Sequence, residues 1–70
     1  MRAHYATHKH IRIFTLGVPE GWLVSVYDLQ KHIWVARCDC VAGTLREAKI
    51  NAEERAADLI GKKILEMKWH

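Results

Sequence analysis

The stretch from Gly43 to Ile60 reads GTLREAKINAEERAADLI, a capped helix with apolar residues on more than one line. Thr44 is an N-cap residue and Glu47 stands three positions later, a capping box in which the two side chains satisfy free backbone N–H groups reciprocally. Glu47 also suits the positive end of the helix. The pattern predicts a helix from Leu45 to about Met67, with Gly61 as its weak point. Leu45, Ala48, Ala52, Ala56, Leu59, Ile60 and Met67 form one stripe at 100° per residue. Ile50, Ala57 and Ile64 form a second line, with Gly61 and Leu65 beside it. One sheet cannot cover both lines.

Everything ahead of this helix reads as strand and turn. Ile11–Leu16 is rich in β-branched and aromatic residues. The segment 17–21, GVPEG, holds the only proline and is a turn. Trp22–Asp28 and His32–Cys40 are the next two strands, joined by a turn at 29–31. A register with Asp28 opposite His32 sets Val26 opposite Trp34, Val24 opposite Ala36 and Trp22 opposite Cys38. That choice gathers the apolar residues on one face. The other face carries Leu23, Ser25, Tyr27, Ile33, Val35 and Arg37, too apolar for a surface meant only for water. The expectation is an α+β fold: a three-stranded antiparallel β-meander packed against one long C-terminal α-helix. Residues 1–70 form a single domain, with 1–10 a flexible N-terminal segment.

Size then bears on association. A chain of 70 residues buries only about 60% of the surface its unfolded form exposes. It needs a disulfide, a metal or a partner. Cys38 and Cys40, two apart on a strand, are too close for an unstrained bridge, so reduced thiols and a cytoplasmic location are expected. No apolar run reaches the length that spans a bilayer, and MRAHYATHKH lacks a signal peptide's apolar centre. A homodimer follows as the expectation, formed through Leu23, Tyr27, Ile33 and Val35 on the sheet and Ile50, Ala57 and Ile64 on the helix.

Chemistry is harder to find. His4, His8, His10 and His32 with the two cysteines do not make the paired spacing of a zinc site. His32 and Cys38 lie on the order of 20 Å apart along a strand, too far for a nucleophile and its base. No phosphate loop, Ser-His-Asp pattern or carboxylate pair stands out. We therefore expect no catalytic residues, metal or cofactor. A net charge of +3 permits contact with nucleic acid, for which Arg12, Tyr27, Lys31 and Arg37 are the candidate residues.

The order strand, strand, strand, helix with Gly43, Thr44, Leu45, Glu47, Ala48, Asn51 and Ala52 resembles the sheet-and-helix domain of HicB-like antitoxins. The resemblance covers about Trp22 to Ile60. It implies oligomerisation and binding of a toxin-like protein partner. The chain departs from that family in having Cys38-Asp-Cys-Val-Ala42 where a Pro-Asp-Leu-Pro-Gly-Cys segment stands, and in lacking a DNA-binding segment after the helix. Arg46-Glu-Ala-Lys49 also looks like the last helix of a double-stranded-RNA-binding domain, and the element order is shared with integrase arm-binding domains. These analogies imply a nucleic-acid-binding sheet.

Overall fold

A computed structural model describes residues 2–63 and 66–70. Four strands, β1 (Ala3–His8), β2 (Ile11–Val18), β3 (Gly21–Asp28) and β4 (Ile33–Ala42), precede one helix, α1 (Leu45–Leu59). They form one antiparallel sheet in the order β1-β2-β3-β4. The class is α+β, as expected, but the sheet has one strand more. Segment 1–10 is not a loose leader: Ala3–His8 pairs along β2, from Ala3 opposite Leu16 to His8 opposite Ile11. Its alternation is real, with Ala6 fully buried and Tyr5 exposed on the other face.

The core lies between α1 and one face of the sheet. Ile11, Ile13 and Thr15 of β2 and Trp22, Val24 and Val26 of β3 point toward the helix, all at most 8% exposed. The helix meets them with Ala48, Ala52 and Ala56, spaced by four, and with Ala57. Alanine is the strongest helix former and loses no side-chain entropy on burial. Its small bulk sets the helix close over β2 and β3, while β4 is only lightly touched.

Thr44 caps the helix as expected: the Glu47 N–H donates to Thr44 Oγ1 at 3.2 Å. The second half of the box differs, because the Glu47 carboxylate accepts from the Thr44 hydroxyl (3.2 Å). The helix stops at Leu59, short of Met67. Gly61 adopts φ 73°, its N–H donates to the Asp58 carbonyl, and Lys62 N–H donates to the Ala57 carbonyl. That is a Schellman ending, and it turns the chain back. The tail then lies along β1, where Tyr5 and His70 exchange two backbone hydrogen bonds (2.8 and 3.3 Å). Glu53 Oε2 holds it by accepting from the Met67 N–H (3.2 Å) and the Trp69 indole N–H (3.1 Å). The Lys49 ammonium sits 5.5 Å over the Trp69 ring.

The β3–β4 register departs from the expected one. Asp28 opposes Ile33, Tyr27 opposes Trp34, Val26 opposes Ala36, Val24 opposes Cys40 and Trp22 opposes Ala42. Irregularities between Val24 and Tyr27 add residues to β4, and Cys38 takes φ 53° there. Such bulges re-aim side chains. Trp34, expected inside, lies on the open face. Ile33 and Val35, expected there, lie on the helix side: Ile33 pairs with the inward Asp28, and Val35 borders Val26, Ala36 and Leu59.

Two predictions follow from the turns. Gly21 has φ 142°, and a Cβ added there would meet the carbonyl oxygen of Ala42. Gly21→Ala is expected to destabilise the fold by about 2 kcal/mol or more, read by thermal or urea unfolding. Asp28 Oδ1 accepts from the N–H groups of Lys31 and Gln30, both at 2.9 Å. The Lys31 bond, chiefly, holds the Asp28 carboxyl below its ordinary range, although desolvation pushes the other way. A lowered folded-state pKa gives stability that is present above the unfolded value, near pH 4, and is lost as pH falls through the folded value. Unfolding measured from pH 6 down to about 2 should show this loss, and Asp28→Asn should flatten it.

Candidate functional site: the open face of the sheet

The helix covers one face of the sheet; the other is open, and the strands fill it with large side chains. By register this face carries Tyr5 of β1, Arg12, Phe14 and Leu16 of β2, Leu23, Ser25 and Tyr27 of β3, and Trp34 and Val41 of β4. The rings form a connected band. Tyr5 and Phe14 are 6.4 Å apart, Phe14 and Trp34 5.6 Å, and Tyr27 meets Trp34 edge-on at 4.9 Å. Phe14 pairs across to Ser25, whose small side chain lets Phe14 reach Trp34 two strands away.

Ser25 also fixes the bulge. Its Oγ accepts from the Cys38 N–H at 2.9 Å and lies 3.8 Å from Cys38 Sγ. The bulge brings Arg37 onto this face, with its guanidinium 5.4 Å from the Trp34 ring centre. Arg12 lies likewise 5.3 Å from the Tyr5 ring centre, while its Nε–H donates to Thr7 Oγ1 at 2.8 Å. Such contacts hold a cation in place yet leave guanidinium donors for an outside oxygen. A shallow depression of about 220 Å³ lies between Phe14, Trp34, Ser25, Arg37 and Cys38.

The charge on this face is of one sign. The four strands contain two carboxylates, Asp28 and Asp39. Asp28 points to the helix side, and Asp39 lies 3.8 Å from Arg55 of α1. The face is thus an aromatic surface with two fixed cations.

The residues singled out from the sequence are distributed unevenly. Leu23, Tyr27, Arg12 and Arg37 are on the open face, and Lys31 is exposed in the β3–β4 turn at the Tyr27 end. Ile33 and Val35 are exposed, but on the helix side. Ile50 is exposed on the outer side of α1. Ala57 is not surface at all: at 2% exposure it is part of the core. Ile64 lies outside the described residues. Tyr5, Phe14 and Trp34 were not among the candidates. The alternations in AHYATH and IRIFTL carry the signal for the first two.

Cys38 is on the open face, whereas Cys40 pairs with the inward Val24, so the two thiols are directed to opposite sides. Among the described residues no three His, Cys, Asp or Glu side chains cluster as metal ligands would. No described helix is long and apolar enough to cross a membrane. No protein-family model, curated protein or solved structure matches the chain.

Ser25 tests how firmly the bulge is held. Ser25→Ala leaves the Cys38 N–H without its acceptor and is expected to cost about 1–3 kcal/mol in urea unfolding. The Cys38 amide should then exchange with deuterium faster than in the parent protein.

Proposed function

We propose that this protein is a small non-catalytic binding module that takes single-stranded nucleic acid on the open face of its sheet. The observation that carries the reading is the band of Tyr5, Phe14, Tyr27 and Trp34 with Arg12 and Arg37 over two of its rings, on a face to which no strand contributes a carboxylate. Unpaired bases stack on aromatic rings of any sequence, and arginine meets both phosphates and base planes. Duplex nucleic acid fits less well, because its bases are already stacked and its phosphates call for an array of cations. Lys31, in the turn beside Tyr27, extends the basic surface. Such a module belongs in the cytoplasm, where Cys38 and Cys40 stay reduced.

An antitoxin-like role, with the same face gripping a protein, draws on the helix opening from Gly43 to Ala52. Tyrosine, tryptophan and arginine also anchor protein interfaces. The one-signed charge of the face favours the polyanion.

Fluorescence anisotropy with labelled single-stranded DNA and RNA of about 15 nucleotides tests the reading. Binding should weaken as salt rises, and Arg12→Ala and Arg37→Ala should each lower the slope of log affinity against log salt by about 0.7. Trp34→Ala should weaken binding by about 1–3 kcal/mol with the slope unchanged. Absence of binding at low salt, or binding indifferent to the double arginine variant, would overturn the reading.

A further inference from the structure

The helix sits over β2 and β3, so the helix side of β4 is left bare. Ile33 (51% exposed), Val35 (44%) and Leu59 (46%) stand there around a notch of about 230 Å³ floored by Val26 and Ala36. These are large apolar side chains beside a core whose largest fully buried members are Ile11, Ile13, Val24, Val26 and Thr15. A core of that size gains much from further burial.

The rim shows what covers the notch. It holds Arg55, Asp39 and Asp58, so both signs of charge surround the apolar centre. Arg55 and Asp39 are 3.8 Å apart and both partly exposed, a loose pair that can exchange partners. A polyanion is repelled by the two carboxylates. A surface that carries its own complement suits the same surface turned by a twofold axis, where residue i meets j and j meets i. We infer that this notch is the interface of a homodimer, with Leu59 of each copy entering the notch of the other and Arg55 facing Asp58 across the axis.

Sedimentation equilibrium on the full chain tests this. The parent protein should dimerise, and Leu59→Glu should raise the dimer dissociation constant about tenfold or more. Ile50→Glu, on the outer side of the helix, should leave it unchanged. A charge exchange makes the test independent of any loss of folding. Arg55→Glu alone and Asp58→Arg alone should each remain monomeric, because like charges then meet across the axis. Mixed together, the two variants should associate, since both cross-axis pairs are again of opposite sign. A parent protein that stays monomeric into the millimolar range overturns the inference. So does a mixture that stays monomeric while the parent dimerises, or a dimer lost through Ile50→Glu but kept by Leu59→Glu.

Discussion

The fold depends on a contact between alanines and a sheet. Ala48, Ala52 and Ala56 are fully buried, and no side-chain bulk separates the helix backbone from Ile13, Val24 and Val26 beneath it. Packing of this kind has little area per residue to work with, so its stabilisation comes from close approach and from the low entropy cost of ordering alanine. It also makes the position of the helix sensitive. A leucine at any of the three would have to lift the helix off the strands.

This contact explains where the rest of the apolar material lies. A small-residue helix face cannot cover four strands, so the helix sits over the middle of the sheet. At the β1 edge the returning tail fills in, held by Glu53 through Met67 and Trp69 and by the Tyr5–His70 backbone pair. At β4 nothing comparable occurs among the described residues. The bulge around Cys38 interrupts this open edge, and a broken ladder is a poor template for a further strand. The bare apolar side chains beside it are therefore better suited to side-chain packing than to strand addition.

Much of the helix was legible in the sequence. Thr44 and Glu47 marked its start, and the alanines marked its buried stripe. Gly61 marked its end more strongly than the expected helix allowed, because a glycine that can take positive φ offers a Schellman ending as well as a weak point. Ala57 was misplaced for a related reason. A helix that approaches closely buries a wider arc, so a residue beside the stripe joins the core. Strand β1 was hidden by His4 and His8, polar residues at the helix-side positions of an edge strand. The register of β3 and β4 could not be read from alternation, because the extra residues at the bulge change its phase partway along. That one irregularity moved Trp34 outward and Ile33 and Val35 inward, and with them the candidate site.

The two arginines on the open face follow from the same irregularity. Arg12 reaches Tyr5 from regular strand geometry, but Arg37 stands beside Trp34 because the chain at Cys38 turns through positive φ. Cysteine tolerates that conformation poorly, and the Ser25 hydroxyl holds it by accepting the Cys38 N–H. With the Arg12 Nε–H engaged by Thr7, the Nη groups are the donors left to an outside acceptor. A guanidinium resting over a ring loses less freedom on binding than a free surface lysine would, so each contact it makes with a phosphate is pre-organised. Local strain at Cys38 thereby acts at long range: it fixes the cation that gives the aromatic band a preference for anionic partners.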